Sequence, residues 1–579
     1  MNTPEISPQA RAEALTALSS GDELDVLVVG AGVVGAGSAL DAATRGLNVG
    51  LVEARDFASG TSSRSSKLIH GGLRYLEMLD FSLVREALRE RGLLIQRLAP
   101  HLVRPVPFLY PLQHRAWERL YVGAGVALYD VLALSGWGAG LPRHRHLSKT
   151  EAMKAFPSLR PDSLVGAIRY YDAQVDDARH TMFLVRTAAA YGAKVAARTE
   201  VVGFLREDRR VVGARVRDAE TGREFEIRAK VVINATGVWT GDSQALLAGF
   251  GADDQFKVTA SKGIHLVVPR DRISGGTGMI LRTATSVLFV IPWDRHWIIG
   301  TTDTAWALDK AHPSASAGDV DYLLAEVNKV LETPLTRDDV QGVYAGLRPL
   351  LSAAASSTAK LSREHAVGSP MPGLVVVAGG KYTTYRVMAK DAVDMAAREL
   401  GSQVPASCTD QVPLLGAEGF AATWNRRATL ARQAGLQVAQ VEHLLRRYGT
   451  LTGEVLTLAA TDPSLARPVA GAPDYLRAEL VYAATHEGAR HLEDVLTRRT
   501  RISIETPDRG LAAARDAAGL LAGPLGWSPA DTARELAAYE SRVAAELAAQ
   551  QQPDDESADA SRRDATEVVP LAVLGGVSR

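Results

Sequence analysis

The stretch Asp25–Asp56, DVLVVGAGVVGAGSALDAATRGLNVGLVEARD, decides the fold. Val26 to Val29 is a continuous apolar run, the pattern of a central parallel strand buried on both faces. Gly30, Gly32 and Gly35 follow as G-x-G-x-x-G where that strand enters a helical pattern, and Glu53 closes a second apolar strand about 20 residues on. Each residue has a physical task. The first glycine makes the tight turn, the second admits a pyrophosphate to the helix N-terminus, the third packs helix on sheet, and Glu53 accepts hydrogen bonds from ribose hydroxyls. A glycine triplet alone is weak evidence. With the strand before it and the acid after it, it predicts a dinucleotide site rather than a structural turn.

The rest of the chain extends this lobe. Residues 194–234 alternate in short strands separated by EDRR and AETG turns and lead to a buried strand ending in NATGVW, a meander that returns to the nucleotide sheet. Later, GLVVVAGGKYTTYRVMAKDAVDMA repeats the plan of strand, Gly379 and Gly380, then helix. A second helix N-terminus far from the pyrophosphate suits a long cofactor with an anionic far end, such as the N1 to C2=O edge of reduced flavin. Between them, residues 255–375 carry strand-like runs without alternating helices, which predicts an antiparallel sheet in a second lobe. The resulting division is a flexible leader over 1–22, an oxidoreductase domain over 23–400, a helical domain over 401–545 and a polar, disordered tail over 546–579.

Composition narrows the function. The 579 residues, 46% of them hydrophobic, can bury more than one core. A formal charge of −1 leaves no global basic excess, so nucleic acid is not an expected partner. One cysteine, Cys408, excludes an intrachain disulfide and fits a reducing compartment. The N-terminus has no apolar core behind a basic start, which predicts a cytoplasmic protein. Residues 120–141 approach the length of a membrane span, but Asp130 and several glycines interrupt them, so a buried or interfacial helix is expected.

The run TSSRSSKLIHGGLRYLE, Thr61 to Glu77, crowds hydroxyls and cations around a glycine pair. A solvated helical face would carry acids at i, i+4, and none occurs before Glu77, so the run reads as an anion-binding wall. The glycine-rich start, this run, NATGVW, IIGTTD, GLRPL and GGKYTTYR stand in the order that resembles aerobic, FAD-dependent glycerol-3-phosphate dehydrogenase. EGARHLEDVLTRRTRI resembles that family's C-terminal domain, and the likeness runs from about residue 24 to 540.

The resemblance implies an α/β, D-amino-acid-oxidase-like FAD fold: a Rossmann-type nucleotide lobe, an antiparallel-sheet substrate lobe and a C-terminal helical domain. It implies oxidation of sn-glycerol 3-phosphate to dihydroxyacetone phosphate, with electrons passing to membrane quinone. It sets Thr61, Ser62, Ser65 and Lys67 along the flavin, joined by Thr236, Gly237, Gly380 and Thr383. Arg74 and Tyr75 become phosphate donors, Arg348 neighbours the substrate hydroxyl or carbonyl, and Arg363 and Lys381 neighbour the phosphate. For the base that takes the C2 hydroxyl proton, His70 is the first candidate and His265 the second. Thr302 and Asp303 are expected to brace the second lobe. A quinone-reducing member must reach the inner face of the plasma membrane peripherally, and residues 111–132 or LPRHRHL could supply that contact. A glycerol-3-phosphate oxidase using oxygen, a non-catalytic flavin-binding protein, and a homodimer as the assembly remain open on sequence.

Overall fold

A computed structural model describes residues 3–71, 81–114, 117–134, 141–247, 256–283, 287–351, 365–401, 403–565 and 567–571. The apolar run predicted as a central strand occupies that position. Leu24–Val29 lies between Glu224–Asn234 and Val49–Val52, parallel to both, with Val28 opposite Ile233 and Leu51. Leu374–Gly379 extends the parallel sheet on one side and Lys194–Ala196 on the other, and the hairpin 199–218 joins it through Glu224–Asn234. Val26 and Val28 pack with Ala36 and Leu40 of the helix Val33–Thr44 and with Met388 of the helix Tyr385–Glu399.

The opposite face of this sheet corrects the expectation of a flexible leader. Leu27 and Val29 are covered there by Leu15 and Leu18 of a helix, Pro8–Leu18, which starts at a Ser7 cap. Arg11 fastens it by pairing with Asp218 at 2.6 Å and donating to the Ala197 carbonyl at 2.9 Å. The polar composition of 1–22 concealed two apolar positions in contact with a sheet face that needed covering.

The second sheet has ten strands among the described residues. It is wider than the span 255–375: Leu68–Ile69, Val103–Leu112, Arg145–Ser148 and Gly166–Val175 precede that span and belong to it. One of its long ladders pairs Val258–Pro269 with Gly342–Leu351, antiparallel, with Ser261 opposite Arg348 and His265 opposite Tyr344. That register carries the site chemistry of the second lobe.

Beyond residue 407 the chain is mainly helical and packs around Leu480, Leu496, Ala517 and Tyr539. It meets the first domain through buried ion pairs. Arg501 pairs with Asp176 and Asp177 at 2.5 Å, Arg499 with Asp56 at 2.7 Å, and Arg179 with Glu487 at 2.7 Å. The tail expected to be disordered contains the end of the helix Pro529–Ala549 and a further helix, Asp555–Arg563. Its polarity reflects charge partners elsewhere in the fold, described below.

Two outcomes follow from this interface. Asp177 has no exposed side-chain surface and holds Lys67 and Arg501, so Asp177→Ala should strand the buried Lys67, leave Arg501 with Asp176 alone and cost about 3–5 kcal/mol in urea unfolding. A loss below about 1 kcal/mol would contradict the arrangement. The second outcome concerns pH. Burial and Arg198 oppose charge on His491, yet Glu220 at 3.1 Å and Glu535 at 2.7 Å raise its pKa to about 9. The folded value lies above the unfolded value of about 6.5, so this contribution is complete below that pH and is lost as pH rises through about 9. Melting temperature should fall across this window, and His491→Gln should lower it at the acidic end and flatten the slope. An unchanged slope in the variant would exclude His491 as its source.

Candidate functional site

A cavity of about 1100 Å³ lies between the lobes, at the carboxyl ends of the parallel strands, where α/β sheets bind ligands. The volume exceeds what a single drug-sized ligand needs. Gly30 turns the chain at φ +94°, and a Cβ there would stand 2.9 Å from the Ala235 carbonyl oxygen. At Gly35 a Cβ would strike the Gly30 carbonyl, so any larger residue would push the helix off the strand. The helix Val33–Thr44 begins at Gly32 with no side-chain cap, and its positive end faces the cavity. Glu53 accepts the Ala31 N–H at 2.8 Å and the Arg55 N–H at 2.9 Å, which aims it into the same space. Burial raises its pKa against the pull of those two N–H groups. Its remaining lone pairs suit ribose hydroxyls. Glycine cradle, open helix end and ribose acceptor fit an FAD dinucleotide.

The hydroxyl-rich run forms one wall. Thr61 donates to the Leu347 carbonyl at 2.6 Å, and Ser62 Oγ accepts the Val33 N–H at 2.9 Å, which joins the run to both lobes. Ser65 lines the cavity and donates through its hydroxyl to Asp177 at 2.7 Å. Lys67 departs from expectation. It adopts φ +57°, turns away from the cavity and donates to Asp177 at 2.8 Å and the Ser63 carbonyl at 3.1 Å. Burial first, then Arg501, lowers its pKa. The left-handed backbone sends this cation to the domain interface, so it is a structural partner.

His70 lines the cavity, and its backbone is gripped by Thr383, whose hydroxyl accepts the His70 N–H and donates to the His70 carbonyl, both at 3.2 Å. Thr383 belongs to the second turn, where Gly379 and Gly380 take φ +73° and +80° and bring Lys381 to the cavity. Thr236 and Gly237 line it from the NATGVW segment. Arg348 comes from the strand Gly342–Leu351. Its guanidinium donates to Thr301 Oγ1 at 3.0 Å and the Thr302 carbonyl at 3.1 Å and lies 3.5 Å from Asp303. The GTTD segment therefore orients this arginine as well as bracing its lobe.

His265 is 2% exposed, and its ring stacks on Tyr344 at 4.7 Å. Its Nε2 lies 2.8 Å from Ser66 Oγ. Burial, then Arg348 and Lys67, hold its pKa well below the ordinary value, so the ring is neutral. Arg74, Tyr75 and Arg363 lie outside the described residues. Sequence reasoning passed over Ser66, Tyr344, Asp177 and Arg501. The adjacent acids of VDDARH, directly after the strand Gly166–Val175 and opening a helix, were the available signal for Asp177.

Comparison with known proteins agrees with this geometry. Residues 25–395 match the family model described as FAD dependent oxidoreductase, and residues 407–532 match the C-terminal domain of alpha-glycerophosphate oxidase. Glycerol-3-phosphate dehydrogenase 2 of Mycobacterium tuberculosis is 57% identical over 97% of this chain and 95% of its own length. The mitochondrial glycerol-3-phosphate dehydrogenase of Mus musculus is 38% identical over 91% of this chain and 74% of its own. The glycerol-3-phosphate dehydrogenase of Bacillus halodurans, solved in complex with FAD, superposes with a TM-score of 0.75 at 28% identity, covering 93% of this chain and 98% of that one. With a dinucleotide cradle, a cation-bearing opposite wall and relatives of this identity over nearly the whole length, the chain belongs to the FAD-dependent glycerol-3-phosphate dehydrogenases.

Proposed function

We propose that this enzyme oxidises sn-glycerol 3-phosphate at C2 to dihydroxyacetone phosphate, with membrane quinone as the electron acceptor. The observation that carries the substrate reading is the presence of Arg348 and Lys381 on the cavity that also holds the dinucleotide cradle. A substrate phosphate brings nearly two negative charges and several acceptor oxygens, and Lys381 answers it as a point charge. Bound FAD supplies the acceptor for the hydride that leaves C2. His70 takes the C2 hydroxyl proton, its position set by the double hydrogen bond to Thr383. His265 is held neutral by burial and is a poor proton acceptor near neutrality, so its part is to fix Ser66 and stack on Tyr344. Arg348, already oriented by Thr301, Thr302 and Asp303, stabilises charge on the C2 oxygen as the proton leaves.

This assignment separates chemistry from binding. His70→Ala should lower kcat by about 10² or more with KM little changed, whereas Lys381→Ala should raise KM for glycerol 3-phosphate with a smaller effect on kcat. Steady-state kinetics of the two variants check this. If His70→Ala changes KM alone, His70 is a binding residue and not the base.

The quinone reading is supported by one surface. Among the described residues no helix is long and apolar enough to cross a membrane. The helix Trp117–Leu134 nevertheless exposes Leu120 at 75%, Tyr121 at 53% and Leu128 at 36%, while Val122, Val126 and Tyr129 on its other side are buried. Arg143 and Arg145 are exposed nearby in sequence, and His146 packs against Gly123 of the helix. An apolar stripe flanked by basic residues suits insertion into the interface of an anionic leaflet, the inner face of the plasma membrane. Leu120→Asp with Leu128→Asp should abolish co-sedimentation with anionic vesicles while leaving turnover with a soluble quinone analogue intact. In stopped flow, the analogue should reoxidise substrate-reduced enzyme much faster than air-saturated buffer does. Rapid reoxidation by oxygen with stoichiometric peroxide would instead assign an oxidase.

A further inference from the structure

The C-terminal family match ends at residue 532, yet later residues reach the cofactor cavity. The helix Asp555–Arg563 starts at an Asp554 cap, and Asp559 and Arg563 from it, with Leu571 beyond it, line the cavity. The helix, DESADASRR, is too polar to be held there by burial alone. An ion pair and a hydrogen bond to the substrate lobe hold it, and Glu567 beyond it reaches the nucleotide lobe.

On the substrate lobe, the fully buried Lys262 is shared between Asp319 and Asp555, and the Asp309 N–H donates to Asp559 at 3.2 Å. Glu567 closes the connection. One of its oxygens lies 2.8 Å from His312 Nε2 of the substrate lobe and accepts from Arg55 Nε of the nucleotide lobe, also at 2.8 Å. Arg55 stands two positions after Glu53 and donates its own N–H to that carboxylate. Glu567 is therefore latched beside the residue that receives the ribose. Arg563, about half exposed, stands on the same cavity wall and pairs with Asp559 at 2.9 Å, so it holds that helix turn against the cavity.

We propose that the helix Asp555–Arg563, with Glu567 and Leu571, is a strap that completes the ribose end of the FAD site and slows release of the cofactor. A segment that merely capped the molecular surface would have no need to line the cavity or to bond both lobes across it. Because the Arg55–Glu567 link is electrostatic and partly exposed, that end of the strap can open without unfolding either lobe.

The test is the rate of FAD release from holoenzyme, followed by the rise in flavin fluorescence after dilution. Glu567→Gln and Arg563→Ala should each release FAD roughly tenfold faster than wild type, the effect of losing one charge-assisted contact. A chain ending after Gln551 should release it faster still. High salt should accelerate wild type towards the Glu567→Gln rate and leave that variant little changed. Far-UV circular dichroism with saturating FAD verifies that each variant is folded. If the shortened chain does not fold, the two point variants decide. Release at the wild-type rate from both folded point variants would overturn the proposal.

Discussion

The Asp177 carboxylate, with no exposed surface, is the constraint on which the site rests. It accepts hydrogen bonds from Ser65, Lys67 and Arg501, drawn from the hydroxyl-rich wall and from the C-terminal domain. Removing such charges from water is expensive, and only close partners with satisfied hydrogen bonds repay it. Lys67 without Asp177 would be an uncompensated buried ion, and Asp177 without Arg501 would lose one of its two cationic partners. The wall over residues 61–70 is therefore tied to the second domain through the one carboxylate that both share. This gives a physical reason for the pairing of the two domains in one chain. The C-terminal domain supplies countercharge to the floor of the site without lining its reactive end.

This arrangement sorts the cations of the molecule into two kinds. Lys67, Arg499 and Arg501 are consumed in buried pairs. Arg348 and Lys381 line the cavity, and the first is oriented by a carboxylate at 3.5 Å and by two oxygens of the adjoining segment. His265, though beside Arg348, is kept neutral by burial and so adds no charge to the wall. A site organised in this way presents cations already oriented by fixed partners, so its dipoles need little rearrangement when negative charge is bound or develops there.

The strap extends the same logic to the far end of the cavity. There the connection between lobes is made by partly exposed pairs such as Arg55 with Glu567, each 18% exposed, which are weaker and more readily broken than the pairs around Asp177. The molecule thus has a rigid reactive end and a looser ribose end. That contrast follows from burial alone.

The sequence by itself determined the nucleotide lobe, because strand, glycine turn, helix and acid are encoded within about 30 residues and their geometry is local. The identity of the wall motifs was legible for the same reason, as was the helical character of the C-terminal domain. The tertiary structure alone decided which side of the wall each residue serves. Lys67 was read with its hydroxyl neighbours as a cavity residue, but a single left-handed φ turns it to Asp177, 110 positions away, and Arg501 meets that carboxylate across 324. The leader helix, the four early strands of the second sheet and the strap were hidden likewise, since polar or short segments gain their structure from distant partners. Local periodicity reports what a segment can form, and only the closed chain brings together the opposite charges that determine where it lies.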